Sequence, residues 1–109
     1  MCPVFAMMSP LAIIVTERGA RLTTALTLAA SAAALGRTVS LLFDGNSVAA
    51  FAASDPLLIV AIELGIAVTA CQTGLADAGL RSADLPAGVV TGGMVGFLAQ
   101  VGDAQLLLA

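Results

Sequence analysis

Short apolar runs alternate with longer Ala- and Leu-rich stretches along this chain. The first run, residues 11–15, is continuously apolar, which is typical of a strand buried on both faces of a parallel sheet. Over residues 18–35, apolar side chains recur at helical spacing and Gly36 follows as a stop signal, so this stretch predicts a helix. Residues 38–43 are typical of a second strand. The chain therefore opens as strand, helix and strand.

The same alternation continues to the last residues. A cluster of turn formers follows the second strand, and Ser54 or Asp55 is expected to cap a helix that has Pro56 at its first position. The remaining predicted elements are short helix 47–53, helix 56–64, strand 66–70, helix 72–78, strand 89–90, helix 92–101 and strand 104–108. Strands that alternate with helices through short connections predict an α/β fold, in which helices cover both faces of a parallel sheet.

Composition limits the number of domains and the kinds of partner. The chain has 109 residues, of which 60% are hydrophobic, 4 are basic and 7 are acidic, for a net charge of -3. This length predicts one domain over residues 1–109, with residues 1–10 as an N-terminal extension. Four arginines cannot form a basic face that neutralises several phosphates, so nucleic acid is not an expected partner.

The absent residue types exclude whole chemistries. The sequence contains no His, Lys, Trp or Tyr. It therefore has no imidazole metal site, no Ser-His or Cys-His dyad and no lysine for a Schiff base or a phosphate loop. The carboxylates show no metal-ligand spacing, so neither a metal nor a cofactor is assigned.

Membrane insertion and secretion are also not expected. A spanning helix needs about 20 predominantly apolar residues, whereas the longest uncharged stretch, 85–102, is interrupted by Pro86 and five glycines. The first ten residues have no basic side chain ahead of their apolar part and contain two prolines, unlike a signal peptide. We therefore expect a cytoplasmic protein with reduced thiols.

Cys71 is the residue with the clearest chemical potential. In parallel sheets, ligands bind at the carboxyl ends of the strands, and Cys71 directly follows the predicted third strand at the start of a helix. Unpaired backbone N–H groups at a helix start favour the thiolate, which is the form that attacks sulfur. The alternative is that Cys71 is a small buried apolar residue. The other cysteine, Cys2, lies in the predicted extension.

Several segments together carry a family resemblance. They are 70–80 (ACQTGLADAGL), Asp84-Leu85-Pro86, Gly88-Val89, 41–45 (LLFDG), 62–66 (IELGI) and the Ala-rich first helix. In this order and spacing they resemble the DsrE/DsrF-like family of small sulfur-relay proteins, over residues 11–108. In that family a cysteine after the third strand precedes a short helix that ends in Gly-Leu.

The resemblance implies a three-layer α/β/α fold with a five-stranded, mostly parallel sheet. It also implies that Cys71 accepts sulfane sulfur as a persulfide and passes it on, as a sulfurtransferase that works with donor and acceptor proteins. The backbone amides of Gln72, Thr73 and Gly74 would cradle the substrate. Apart from the resemblance, Arg18 and Asn46 lie on rim loops at the carboxyl ends of neighbouring predicted strands and are further substrate-binding candidates.

A second function class stays open, and both classes predict self-association. In the second class the protein is a non-catalytic oligomeric binding or scaffold protein of the same fold, with a structural Cys71. A domain of this size exposes about a third of the surface of its unfolded chain, and 11 charged side chains are too few to cover it. Apolar patches of that kind mark subunit contacts. The resemblance implies a homotrimer or a hexamer, with Cys71 near a subunit boundary.

Overall fold

A computed structural model of the protein describes residues 9–53 and 55–109. The described chain builds one five-stranded sheet in the order β4-β3-β2-β1-β5, in which every neighbouring pair of strands is parallel. The strands are β1 (Leu11–Val15), β2 (Val39–Phe43), β3 (Ala67–Cys71), β4 (Val89–Gly92) and β5 (Gln105–Leu108). The predicted α/β class and parallel sheet are confirmed.

Helices connect the strands in the predicted alternation. They are α1 (Ala20–Ala34), α2 (Pro56–Glu63), α3 (Gln72–Asp77) and α4 (Met94–Val101), with 3-10 helices over Gly45–Phe51 and Ser82–Asp84. The short helix expected after β2 is therefore a 3-10 helix. Of the two residues expected to cap α2, Asp55 is the one that the structure shows in this role: its carboxylate accepts a hydrogen bond of 2.9 Å from the backbone N–H of Leu57. Ser54 lies outside the described residues.

The first helix begins two residues later than its apolar periodicity predicts. Gly19 has a φ of +87°, a left-handed conformation that ends the extended chain and cannot belong to a right-handed helix. From Ala20 onward the periodic side chains Leu22, Leu26 and Ala29 are buried against the sheet. The apolar spacing located the buried stripe of the helix correctly, and the glycine set its first residue.

The main core lies between the sheet and the helices α1 and α2. The alternate side chains of the central strands point to this side, and Ile13, Leu41 and Phe43 are at most 1% exposed. The rings of Phe43 and Phe51 meet at a centroid distance of 4.8 Å. Burial of this large apolar set is the principal stabilising contribution to the fold.

The opposite side of the sheet is covered less completely. Its buried cluster consists of Phe97 from α4 with Ala12, Ile14 and Leu42 from the two central strands. The outer strands β4 and β5 keep exposed side chains there. The continuous apolar runs predicted cover on both sides for every strand, and this holds only for the central ones, because α4 has 8 residues and cannot reach across the sheet.

Two strands end later than the sequence predicts, which matters for the site. Cys71 is the last residue of β3 and is paired with Gly92 of β4, whereas the predicted strands ended at Ala70 and Val90. Consequently α4 begins at Met94, after Gly93, rather than at Gly92. Small residues at these strand ends obscured the boundary in the sequence.

No single helix of the described residues is long and apolar enough to cross a membrane. The helices Gly45–Phe51 and Pro56–Glu63 would together have the length and composition, but they are bent by 85° at the break between them.

Candidate functional site

The carboxyl ends of the parallel strands meet at one edge of the sheet, and buried hydrogen bonds hold the loops there. The hydroxyl of Ser47, which is fully buried, lies 2.8 Å from the carbonyl oxygen of Val15 and 2.7 Å from that of Asp44. The backbone N–H of Asp44 donates to the carbonyl of Val15 at 2.8 Å. These contacts tie the turn after β2 to the end of β1.

Cys71 lies at this edge with its thiol half-buried. It is both the last residue of β3 and the N-cap of α3, and no side chain caps the first turn of that helix. The first backbone N–H groups of a helix have no partner within it, and among the described residues no side chain accepts from those of Gln72 and Thr73, which directly follow Cys71. Cys2 lies outside the described residues.

Gly74 lies in a tightly packed position at the start of α3. It is buried, and a Cβ built on it would come within 3.1 Å of Cγ1 of Val48 and 3.5 Å of the backbone of Gly45. A larger residue would press on Val48, because α3 approaches the 3-10 helix after β2 this closely. The structure gives Gly74 a structural reason that the sequence pattern alone did not reveal.

The other predicted site residues are distributed over separate loops. Asn46 donates a hydrogen bond of 3.4 Å to the carboxylate of Glu17, which links the loops after β1 and β2. Arg18 is exposed on the loop after β1, and β2 separates that strand from β3. The predicted residues therefore share one edge of the sheet, but among them only Asn46 and Gly74 border the same cavity.

Three small cavities are bordered by residues near Cys71 in the chain or in the sheet. Gln72 borders one of about 240 Å³ between α3 and β4. Asn46 and Gly74 border another of about 190 Å³ beside the 3-10 helix. A third, also about 190 Å³, lies between β4 and the start of α4, and its walls include Thr69 and Gly92.

Thr69 and Gly92 are candidate site residues that the sequence pattern did not single out. Side chains two residues apart in a strand point to the same face, so Thr69 and Cys71 both face the α4 side of the sheet. Gly92, the strand partner of Cys71, approaches the methyl group of Thr69. The sequence contains a signal for Thr69, because Thr69 is the one polar residue in the apolar stretch between Ile66 and Ala70.

A larger cavity of about 430 Å³ lies away from this chemistry. It separates α1 from β5 and has mostly apolar walls, with Leu28 and Leu107 among them. None of the predicted site residues borders it. Size alone therefore does not identify the functional site.

Comparison with known proteins supports the fold. The chain is similar to the crystal structure of the ychN protein from E. coli, with a TM-score of 0.75 and 21% sequence identity over 91% of this chain and 97% of the other. No family model matches the sequence, and no curated protein matches it. The similarity shows a shared fold over nearly the whole length of both chains.

Proposed function

We propose that this protein is a sulfur carrier that accepts sulfane sulfur on Cys71 and delivers it to a partner protein. The observation that carries the proposal is the position of Cys71 at the carboxyl edge of the sheet, half-buried and next to free backbone N–H groups at the start of α3. The fold shared with the ychN protein agrees with the fold that the DsrE/DsrF-like resemblance implies. That resemblance supplies the chemistry.

The proposed reaction is a sulfur transfer between thiolates. The Cys71 thiolate attacks the outer sulfur of a sulfane donor, a new S–S bond forms at Cys71, and the donor's own S–S bond breaks. The donor remainder leaves with the electron pair of that bond. Transfer onward is the same step in reverse, with the thiolate of the acceptor as nucleophile. The half-buried position limits the access of other thiols to the persulfide.

Mass spectrometry after incubation with polysulfide tests the proposal. We expect a gain of one sulfur atom that maps to Cys71, is removed by a reducing thiol and is absent in the Cys71→Ser variant. The matched control is Cys2→Ser, which keeps Cys71 and is expected to load normally. If loading survives in Cys71→Ser and disappears in Cys2→Ser, the sulfur acceptor is Cys2 and the proposal is wrong. If Cys71 stays unmodified in a folded protein, the carrier function is wrong and the alternative of a non-catalytic scaffold protein remains.

Self-association is part of the proposed function. Of the eleven large apolar side chains that are exposed among the described residues, six lie on the α4 side of the sheet. They are Val90, Met94, Val95, Leu98, Leu106 and Leu108, and we call them the α4-side surface. This surface contains no charged residue and is the contact that we propose for a homotrimer or hexamer. A monodisperse species of 10.8 kDa in light scattering at micromolar concentration contradicts it.

A further inference from the structure

Two polar side chains are buried among the described residues, and they differ in how they are satisfied. Ser47 is 0% exposed and its hydroxyl lies within hydrogen-bond distance of two carbonyl oxygens. Thr69 is 7% exposed, and its hydroxyl has no hydrogen-bond partner in the described part of the chain. A buried hydroxyl without a partner is unfavourable unless water or a ligand satisfies it.

Thr69 borders the cavity between β4 and α4. Within residues 9–53 and 55–109, no side-chain polar atom is both sealed from solvent and unpartnered, so this hydroxyl is open to a space that water or a ligand can enter. Thr69 borders the cavity of about 190 Å³, and it has little other exposed surface. The hydroxyl therefore supplies a hydrogen bond within this cavity.

The start of α4 supplies further donors to the same cavity. Gly93 is the N-cap of this helix, and no side chain accepts from its first turn. The backbone N–H groups of Met94, Val95 and Gly96 consequently have no intrahelical acceptor. The glycines at 93 and 96 line the cavity, and a Cβ added to either would meet no atom within 4 Å. The donors are thus not covered by neighbouring side chains.

These donors favour an anion. Free N–H groups and the dipole at a helix N-terminus attract negative charge, and none of the residues that border the cavity is a carboxylate. The cavity volume suits an ion of a few heavy atoms. Cys71 does not itself border the cavity, but its strand partner Gly92 forms part of the wall and its side chain shares a face of the sheet with Thr69.

We propose that this cavity binds the oxyanion group of a small sulfane donor, such as the sulfonate end of thiosulfate, and directs the outer sulfur towards Cys71. The inference rests on the proposed sulfur-carrier function and names the donor class. The Cys71 thiolate forms an S–S bond to the outer sulfur of thiosulfate, the S–S bond of thiosulfate breaks, and sulfite leaves with its electron pair. Charge is conserved in this step. The thiolate and thiosulfate together carry three negative charges, of which one remains on the persulfide and two leave with sulfite.

Binding is measured separately from sulfur transfer. The Cys71→Ser protein is titrated with sodium thiosulfate against sodium chloride of equal ionic strength, and backbone amide shifts are recorded by NMR. We expect saturable, thiosulfate-specific shifts centred on residues 93–97. Shifts spread over the surface, or equal shifts in chloride, overturn the proposal.

Two variants test the contacts with the anion, and a third variant is the matched control. Thr69→Val keeps the shape of the side chain and removes its hydroxyl, so the Kd for thiosulfate is expected to rise about tenfold, as for the loss of one hydrogen bond to an anion. Gly96→Ala places a methyl group in the open space of the cavity and is expected to weaken binding without unfolding the helix. Thr38→Val makes the same chemical change on an exposed residue at the opposite edge of the sheet and is expected to leave the Kd unchanged.

The outcomes separate this inference from the proposed function. If polysulfide loads Cys71 but thiosulfate causes no specific shifts at α4, the carrier function is supported and the oxyanion site is wrong. If thiosulfate causes specific shifts at α4 but polysulfide does not load Cys71, the oxyanion site is supported and the carrier function is wrong. If Thr69→Val and Thr38→Val bind thiosulfate equally well, the Thr69 hydroxyl is not a contact and the proposed site is wrong.

Discussion

The two sides of the sheet are stabilised very unequally. On one side α1 and α2 cover the central strands, and the connected core there contains twenty buried residues from strands and helices. On the other side α4 stands over a buried cluster of four residues. The strands themselves contribute unequally to the two sides. On the α1 and α2 side, β1 and β2 bury Leu11, Ile13, Val15, Val39, Leu41 and Phe43, whereas on the α4 side they bury Ala12, Ile14 and Leu42.

The difference suggests a division of roles between the two sides. Apolar burial on the α1 and α2 side accounts for most of the stability of the monomer. The α4 side carries the thiol of Cys71, the cavity next to it and the exposed α4-side surface. A region that leaves apolar groups exposed in the monomer is suited to contacts with other molecules. Stability and interaction are therefore assigned to opposite sides of one sheet.

Substitution of one phenylalanine on each side tests this division most strongly. Phe43 is 0% exposed in the main core, and Phe43→Ala is expected to lower the free energy of unfolding by about 3–5 kcal/mol because an enclosed cavity remains. Phe97 is 3% exposed beneath α4, and Phe97→Ala is expected to cost about 2 kcal/mol, close to the transfer free energy alone, because water and neighbouring side chains can fill the opening. Urea denaturation measures both.

The control for this pair is Gln100→Ala. Gln100 lies on the same helix as Phe97, is exposed and is not part of the α4-side surface, so its substitution is expected to change the free energy of unfolding by no more than about 0.5 kcal/mol. Equal losses for the two phenylalanines, or a larger loss for Phe97, would contradict the unequal contribution of the two sides.

Introducing a charge on each side tests where subunits meet. Val95→Asp puts a carboxylate on the α4-side surface and is expected to shift the mass measured by light scattering towards the monomer, because an ion buried in an apolar contact loses its hydration. Val60→Asp makes the same change on α2, where the side chain is 42% exposed, and is expected to leave the assembly intact. If Val60→Asp dissociates the assembly and Val95→Asp does not, the subunit contact lies on the α1 and α2 side of the sheet and the proposed contact is wrong.

The smallest expected effect concerns the turn Ser82–Asp84, which leads into the edge strand β4 and has no buried residue. The backbone N–H of Arg81 donates to the Asp84 carboxylate at 2.9 Å, and this hydrogen bond, more than the Arg81 side chain, lowers the pKa of Asp84. The stabilising contribution is therefore fully present above the ordinary Asp pKa of about 3.9 and is lost as the pH falls through the lowered value.

NMR measures this local effect directly. The carboxyl resonance of Asp84 is expected to titrate below the midpoint of an aspartate in an unstructured peptide. Over the same pH range, amide exchange at Arg81 is expected to become faster than in neighbouring loops. An ordinary midpoint for Asp84 would mean that the hydrogen bond does not persist in solution. Because the carboxylate is fully exposed, the thermal midpoint of the whole protein is expected to change little.

Local patterns predicted the elements and most of their order. The continuous apolar run at Leu11–Val15, the helical spacing that ends before Gly36 and the cap at Asp55 each depend on residues close in sequence, and each is observed. The boundaries at Cys71 and Gly92 were less clear, because small residues are compatible with strand and helix alike. Pairing between β3 and β4 decided them.

Composition and periodicity, which are local properties, were enough for the class of fold, for the position of Cys71 at a strand end and for the chemistries that a chain without His or Lys cannot perform. The folded chain was needed to show that Gly74 packs closely against Val48, that Thr69 borders a cavity with the strand partner of Cys71, and that α4 leaves its side of the sheet partly bare. Each of these facts depends on which segments pack together across the sheet, and distances between such segments are not encoded in any short stretch of the chain.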